Sequence, residues 1–536
     1  MDFLSHALLT ALIVIPALAA GAIMALRRRS WTRWIALGAT IAVFVLSLSF
    51  LVIYNWHSPP NGAAPTYACR DVIHPTGVVQ FVERVNLIPA ARLQYFVGID
   101  GLSLPLILLI AFLSVRACVA LWKPDRGPAL NAANAVPIST VAILHSHRLA
   151  LVLLLECTLL GTFLSLNFVL FVFFFAISIL PVVTFLRTSN TGRNRRALFH
   201  FAGAMLLSIT LLTLAMIGIY RRTGEFDLIA LPALLRDRYS HAGPMFQHGK
   251  ILFALLMAGL LIRLPVVPLH RWLSDLYADA PTPLGMMVSA ALPATAAYGA
   301  LRIACPLFPD AVRSLWMLFA IAGVIGVLYG ALTLLAQHTF RRTIACFSVA
   351  QMGLVLLGIA IGTHATLNGA MFLLISHGLI AAALFALAGI MVKRAGNDEL
   401  DRPAAASRAM PVFTGYTALV LLAAVGLPML CGFVGELLVL CGTFQAATGP
   451  AASPTSVYCI AILGCTGTVL IPVALLWKFR RIVSGNRPTG DGVATDLTQR
   501  EITLLTPMLA AIFLLGILPW PLYFAFTRTT LEAIFR

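Results

Sequence analysis

The sequence is poor in charge, and poorest in acidic residues. Of its 536 residues only 11% are charged, with 20 Asp and Glu against 37 Lys and Arg, while 60% are hydrophobic. Such a composition lies far outside the range of soluble globular domains. It excludes a protein with one buried core and a water-facing surface, and it predicts a chain whose outside contacts lipid.

Motifs for metal and nucleotide chemistry are also lacking. The nine cysteines are scattered, without a CxxC pair or the His and Cys spacing of a metal site. This argues against zinc, haem and iron–sulfur centres on this chain. Neither a Walker A loop nor a dinucleotide-binding fingerprint is found. We therefore expect no cofactor on this chain.

Long apolar runs are abundant instead. Runs of about 18 or more apolar residues recur along nearly the whole chain, and each is long enough to cross a bilayer. They predict an all-α membrane protein with about 14 transmembrane helices. The predicted spans are 5–26, 34–54, 103–122, 149–166, 168–186, 197–220, 250–278, 284–305, 313–335, 343–362, 367–392, 412–444, 458–477 and 503–526.

The basic residues are concentrated in every second loop between these spans. When the N-terminus is placed outside, most of them fall in inner loops, with clusters at 27–33, 187–196 and 478–487. By the positive-inside rule, this predicts a multi-pass protein of a bacterial-type inner (cell) membrane with both termini on the outer (periplasmic) side. The compact basic domain with interleaved aromatics that binds nucleic acid is absent, so we expect the lipid bilayer and no nucleic acid as a partner.

Two apolar spans are interrupted by proline close to a charged residue. LLIRLPVVPLHRWL places Arg263 beside Pro265 and Pro268, and VGLPMLCGFVGELL places Pro428 before Glu436. Broken backbone and charge are costly in lipid and normally persist where they line a cavity or an ion path. Two such breaks, far apart in sequence, predict a transporter built from two related halves.

Few other ionisable residues lie inside the predicted spans. A carboxylate at membrane depth either pairs with a cation or is protonated, which makes Glu156 and Glu436 candidate proton carriers. His377 is equally compatible with a packed polar residue and with a proton relay. For Arg116 a structural role near the membrane surface is favoured, and Asp100 lies at the start of a span.

Several stretches resemble, in order, one family of membrane subunits. They are FVERVNLIPAARLQYFVGIDGLSLPLILLIAFL (81–113), LLECTLLGTFLSLNFVLFVFFFAISILP (154–181), IRLPVVPLHRWLSDLYADAPTPLGMMVSAALPATAAYGALRIACPLFP (262–309), RRTIACFSVAQMGLVLLGI (341–359), LLISHGLIAAALF (373–385) and GLPMLCGFVGELLVL (426–440). The family is chain M (subunit 4) of the proton-pumping NADH–quinone oxidoreductase, respiratory complex I. The stretch from 262 carries its most recognisable signature, with PLH, WL, APTP and YG.

The resemblance implies an antiporter-like subunit with two inverted five-helix repeats, each containing one broken helix. The repeats would be 149–305 and 313–477, preceded by a three-helix segment at 1–122 with an outer loop at 55–102. Residues 478–536 would hold an inner loop and the C-terminal helix. It also implies L-, N- and K-type membrane subunits as partners, with quinone, flavin and iron–sulfur clusters on partner subunits and no redox chemistry on this chain.

The sequence departs from the family at the residues thought to carry protons. The family path runs from a glutamate on the fifth helix, through lysines on the seventh and eighth, to a carboxylate on the twelfth. Here Ala176, Arg263 and Ala294 replace the first three, and Glu436 keeps the last. Arginine is effectively always protonated near neutral pH, so it cannot routinely release a proton. The resemblance therefore implies an impaired or rerouted proton channel, and Glu156 is a candidate partner for Arg263.

Three functions remain compatible with the residues. The chain is a subunit of a respiratory NADH–quinone oxidoreductase with an altered channel, or a paralogue in another cation/proton-translocating or inorganic-carbon uptake complex, or a non-pumping structural subunit. For the loop at 55–102, an ordered segment packed over the helices is favoured over a docking surface.

Overall fold

The chain folds into a bundle of membrane-length helices with a small sheet at one end. The computed structural model describes residues 8–26, 31–54, 72–74, 77–89, 92–122, 138–188, 194–239, 244–395, 399–400, 410–448, 454–483 and 495–521. The helices are α1 (Leu8–Leu26), α2 (Thr32–Ile53), α3 (Ser103–Ala120), α4 (Ile138–Leu164), α5 (Phe168–Thr188), α6 (Asn194–Thr223), α7 (Leu231–Tyr239), α8 (Pro244–Arg263), α9 (Arg271–Asp279), α10 (Thr282–Leu307), α11 (Pro309–Ala336), α12 (Phe340–Ile361), α13 (His364–Ala395), α14 (Pro411–Ala424), α15 (Cys431–Ala447), α16 (Pro454–Val483) and α17 (Gln499–Ile517).

Twelve helices within the described residues are long and apolar enough to cross a membrane. The predicted all-α membrane class is thereby confirmed, while the count of 14 spans stays a prediction. The two spans read as broken are each divided into two helices, α8 with α9 and α14 with α15. The two repeats also stay predictions; their predicted ranges, 149–305 and 313–477, cover most of α4 to α10 and most of α11 to α16.

Helices α10 and α13 form the centre of the bundle. Both are buried along their whole membrane-crossing window, and α12 nearly so. Helices at the periphery expose large apolar side chains, including Leu18, Val45, Leu206, Leu318 and Val469. An apolar outer surface of this kind is matched by lipid tails, and the packed centre is the place where buried polar groups can meet.

The buried helix α10 contains a short π-helical segment, Ala300–Ala304, before its end. Pro306 has no N–H to donate to the carbonyl of Arg302, so a regular ladder cannot continue there. The N–H of Cys305 bonds instead to the oxygen of Ala300, five residues back. Arg302 lies within this π-helical segment.

Part of the predicted loop 55–102 is an antiparallel sheet with the order β1 (Val72–His74), β2 (Gly77–Ile88) and β3 (Leu93–Ile99). The described residues of this predicted ordered loop thus form strands, which the sequence analysis did not specify. The carboxylate of Glu83, on β2, accepts the backbone N–H of Leu9 at 2.8 Å and also bonds to Thr10. It thus satisfies N–H groups at the start of α1 that have no partner in the helix.

The sheet is also tied to the turn that follows α6. Arg84 pairs with Asp227 at 3.3 Å, and Arg92 pairs with Glu225 at 2.9 Å. Both arginines are largely exposed, so each pair alone contributes little stability. Together with Glu83 they connect the sheet to two separate parts of the bundle, which agrees with a segment packed over the helices.

Asp496 caps a neighbouring helix across the loop before α17. Its carboxylate accepts backbone N–H groups from Val412 at 2.8 Å and Phe413 at 3.0 Å, at the start of α14, and from Leu497 at 2.7 Å. Burial alone would raise the pKa of Asp496, but these N–H groups and the charge of Arg394 lower it below its ordinary value.

The lowered pKa predicts a pH dependence of stability. A depressed carboxyl pKa contributes stability that is present above the unfolded-state pKa of about 4 and is lost as the pH falls through the folded-state pKa. We expect Asp496→Asn to lower the melting temperature at neutral pH. The difference in melting temperature between the variant and the parent is expected to become smaller as the pH falls below about 4. Melting curves of the purified protein between pH 7 and acid check this, and an unchanged gap at all pH values would contradict it.

Candidate functional site at the two helix breaks

The first break separates α8 from α9. Pro265 and Pro268 lie between the two helices and cannot donate to a helical ladder. The indole Nε1 of Trp272, in the first turn of α9, donates to the carbonyl of Ile262 at 2.8 Å. This side chain satisfies a backbone acceptor at the end of α8, so the break is a defined structure.

Arg263, the last residue of α8, is fully buried and points at α5. Its Nη1 donates to the carbonyl oxygen of Phe175 at 2.8 Å, and its Nη2 donates to Oγ of Ser178 at 2.6 Å. The guanidinium carbon lies 3.9 Å from the centroid of the Phe175 ring, a cation–π contact. Every acceptor that it meets among the described residues is electrically neutral.

The expected pairing of Arg263 with Glu156 is wrong. Within the described residues no carboxylate oxygen lies within 4.0 Å of the Arg263 nitrogens, whereas six other ion pairs meet that limit. Both carboxylate oxygens of Glu156, which is fully buried on α4, have no hydrogen-bond partner there. Glu156 is therefore a separate buried group and its role as a proton carrier stays a prediction.

Ala176 and Ala294 occupy different environments. Ala176 follows the Phe175 carbonyl that Arg263 uses, and it is partly exposed. Ala294 is completely buried in α10, between Pro293 and Thr295. Neither side chain can hold a proton, so no titratable group at these two positions accompanies Arg263.

The second break separates α14 from α15 and retains a carboxylate. Gly426 has φ +77°, a left-handed conformation that favours glycine, and a Cβ at this position would lie 2.6 Å from Oε2 of Glu436. The exposed Pro428 follows in the same turn. Oε1 of Glu436 accepts a hydrogen bond from Nε2 of Gln351, on α12, at 2.7 Å. The break thus brings a buried carboxylate against an amide and against the backbone of its own turn.

His377 lies at the centre of the bundle on α13. It is 2% exposed, and both ring nitrogens have no hydrogen-bond partner among the described residues. Its ring centroid lies 5.5 Å from that of Phe347 on α12. The structure does not join Glu156, Arg263, His377 and Glu436 into one hydrogen-bonded cluster within the described chain.

A buried ion pair was missed by the sequence analysis. Nη1 of Arg302, in the π-helical segment of α10, lies 3.0 Å from Oδ2 of Asp100, and both side chains are about as buried as Arg263. The angles do not make a hydrogen bond, so attraction of charge holds the contact. Oδ1 of Asp100 accepts the N–H groups of Leu102 at 3.1 Å and Ser103 at 2.7 Å at the start of α3. An arginine inside the predicted span 284–305 was the available signal.

A bundle of membrane-length helices, two of them broken next to a buried charged residue, is typical of an antiporter-like, multi-pass membrane subunit. The family model described as "NADH:quinone oxidoreductase/Mrp antiporter, TM" matches residues 165–460, and the chain belongs to this family. The predicted family is therefore confirmed.

Two relatives agree with this membership. The chain is 31% identical to "NAD(P)H-quinone oxidoreductase chain 4 1" of Synechococcus sp. (strain JA-3-3Ab), over 95% of this chain and 90% of the relative. It is 28% identical to "NADH-quinone oxidoreductase subunit M" of Rhodobacter capsulatus, over 91% and 87%.

Two solved structures share the fold. A chain of respiratory complex I from Thermus thermophilus superposes with a TM-score of 0.78 at 23% identity, covering 98% of this chain and 100% of that one. A chain of the Mrp complex from Dietzia sp. DQ12-45-1b gives 0.80 at 18% identity, covering 99% and 100%.

Proposed function

We propose that this chain is the M-type antiporter-like membrane subunit of a respiratory, proton-translocating NADH–quinone oxidoreductase, with an impaired or rerouted proton path at its first helix break. Support for the complex comes from relatives named chain 4 and subunit M, which match this chain over most of their own length. Support for the altered path comes from the surroundings of Arg263.

The contacts of Arg263 carry the proposal. The guanidinium donates to a carbonyl and a hydroxyl and lies on an aromatic ring. None of these groups takes up a proton readily, and arginine does not give one up near neutral pH. Ala294 offers no next carrier. The first break therefore holds a fixed positive charge where a transporter needs an exchangeable proton.

The proposal assigns the redox chemistry to other subunits. Quinone, flavin and iron–sulfur clusters would be bound by partners, and L-, N- and K-type subunits would adjoin this chain in the membrane. The concentration of basic residues in alternate loops supports an inner bacterial membrane with both termini on the periplasmic side. Of the four family positions on this chain, only Glu436, which accepts a hydrogen bond from Gln351, remains able to exchange protons.

A second candidate is a subunit of another cation/proton-translocating complex, including complexes for inorganic-carbon uptake. The superposition on a chain of an Mrp complex favours it, since the fold fits there equally well. A non-pumping structural subunit is the limiting case of an impaired channel.

Isolation of the native complex tests the proposal. An affinity tag on this chain is expected to recover L-, N- and K-type membrane subunits together with soluble subunits that oxidise NADH, and the preparation is expected to reduce quinone. Mass spectrometry identifies the subunits, and an untagged strain treated identically is the control. Recovery of antiporter subunits without any NADH-oxidising partner would favour the second candidate and contradict the first.

A further inference from the structure

Two arginines at one end of the bundle have no counter-charge among the described residues. Arg33 lies in the first turn of α2 and Arg116 about one turn before the end of α3, and both are partly buried. The Nε atom of each is buried and has no hydrogen-bond partner in the described chain. None of the ion pairs found there includes either arginine. Buried donors are almost always satisfied by protein, water or a ligand, so these two nitrogens require an acceptor.

Arg116 lies in the floor of a groove. Helices α2 and α17 both pack on α3 and scarcely touch each other, and between them one face of α3 stays partly exposed at Phe112, Arg116 and Val119. The Phe112 ring lies 5.8 Å from that of Phe44 on α2, and Nη1 of Arg116 donates to the carbonyl of Thr503 on α17 at 3.2 Å. This surface, the α3 groove, therefore opens between α2 and α17 towards the membrane.

Two tryptophans lie at the end of the α3 groove. Trp122, two residues beyond α3, packs edge-on against Trp34 of α2 with ring centroids 4.8 Å apart. The guanidinium carbon of Arg33 lies 5.2 Å from the centroid of the Trp122 ring, a cation–π contact. Trp34 is 56% exposed. Tryptophans of membrane proteins are enriched at the level of the lipid headgroups, so this end of the groove is expected to lie at the interface between membrane and water.

A third arginine adds positive charge on the α17 side. Nη2 of Arg500, in the first turn of α17, donates to the carbonyls of Val119 at 2.9 Å and Ala120 at 2.6 Å. It satisfies acceptors at the end of α3 that have no partner in the helix. Arg33, Arg116 and Arg500 thus all belong to, or contact, residues 116–122, a stretch of about 9 Å. The planar fork of arginine matches the oxygens of a phosphate, and several arginines together favour such a group.

An apolar stripe continues from the tryptophans along α2. Trp34, Ile41, Val45 and Leu48 are all exposed and follow one face of the helix. Gly38 lies in the same stripe, and a Cβ at this position would meet no atom within 4 Å. The surface therefore offers positive charge at one end and a long, open apolar strip beside it. A free phosphate would use only the first of these, whereas a phospholipid uses both.

We infer that the α3 groove binds an anionic phospholipid, with its phosphate group at Arg33 and Arg116 and an acyl chain along the stripe of α2. Phosphate oxygens supply the acceptors that the two Nε atoms lack. Arg500 strengthens the attraction through its charge, while its own donors stay on the α3 carbonyls. The inference requires only a chain embedded in a bilayer, and it does not rest on the proposed function.

Photo-crosslinking tests the site. The complex that holds this chain is reconstituted in phosphatidylcholine vesicles containing phosphatidylglycerol with a photoactivatable group in its acyl chain, and mass spectrometry locates the label. Label is expected on α2 between Trp34 and Leu48. Arg33→Gln with Arg116→Gln is expected to reduce it about tenfold, because charge-assisted hydrogen bonds are lost. The matched control, Arg195→Gln with Arg196→Gln, removes the same charge from two exposed arginines at the start of α6 and is expected to keep the label.

The parent protein alone tests the choice of ligand. The same photoactivatable group carried by phosphatidylcholine is expected to label α2 about tenfold less than phosphatidylglycerol does. Equal labelling by the two lipids, or a double variant labelled like the parent, overturns the site. Displacement of the label by inorganic phosphate would show that phosphate alone is bound and would overturn the assignment to a lipid. A map of the complex with a neighbouring subunit's side chain in the α3 groove would overturn it as well.

Discussion

The triple substitution R263K/A176E/A294K is expected to raise proton flux through the complete complex about tenfold or more above the parent. The substitutions restore the three residue types that the family uses before the terminal carboxylate. A buried lysine can release and recapture a proton, and a nearby glutamate tunes that exchange by forming or breaking an ion pair. Arg263 does neither, because its charge is permanent and its partners are neutral.

The structure indicates what else must be measured with this variant. Ala294 is completely buried, so a lysine there overpacks α10 at a cost of about 1–3 kcal/mol unless the neighbours move. Melting temperatures therefore accompany the flux assay. The single variant R263K is the control and is expected to gain little, since position 294 still lacks a carrier. A parent flux equal to that of a relative with the full set of family residues would refute the impaired channel.

Arg302→Met is expected to cause the largest loss of stability among single substitutions of charged residues in the described chain. It leaves the Asp100 carboxylate buried without its cation, and breaking a buried ion pair in this way costs about 3–5 kcal/mol. The two N–H groups from the start of α3 stay bonded to Asp100 and moderate the loss. The melting temperature of the complex in detergent is the measurement.

An exposed pair provides the control for this prediction. Arg313 and Asp310 lie 3.8 Å apart on the surface of α11, and Arg313→Met is expected to leave the melting temperature nearly unchanged. The double variant Asp100→Asn with Arg302→Met is expected to recover part of the stability, because the uncompensated charge is removed. If Arg302→Met melts like Arg313→Met, the ion pair does not stabilise the fold.

The helix breaks could be predicted from sequence because their causes are local. Pro265 and Pro268 remove ladder donors wherever they stand in an apolar span, and Glu436 is recognisable by its charge alone. The partners of Arg263 could not be predicted, since a main-chain carbonyl and a serine hydroxyl on α5 carry no distinctive sequence signal. Sequence reasoning looked for a carboxylate, as opposite charge is the simplest compensation, and proposed Glu156.

The other features that the sequence did not predict also lack a local sequence signal. The strands at 72–99 lie between apolar spans. Hydropathy locates the spans but does not predict the secondary structure of the segments between them. Asp100 and Arg302 are far apart in the sequence, and their contact appears only once the start of α3 is packed against α10. Contacts between distant helices thus decide the chemistry of this site, whereas the sequence shows where the helices are interrupted.

The hydrogen bonds that Glu83 accepts from the start of α1 depend on the order in which the chain is synthesised. Helix α1 leaves the ribosome with free amides at Leu9 and Thr10, and the carboxylate that accepts them belongs to a strand synthesised after one further span, α2. Until that strand has been made and lies against the start of α1, the Leu9 and Thr10 amides lack the carboxylate that accepts them. A ribosome paused before residue 83 would therefore leave the start of α1 without this contact, and protease protection of Leu9 and Thr10 would begin only after synthesis of the hairpin.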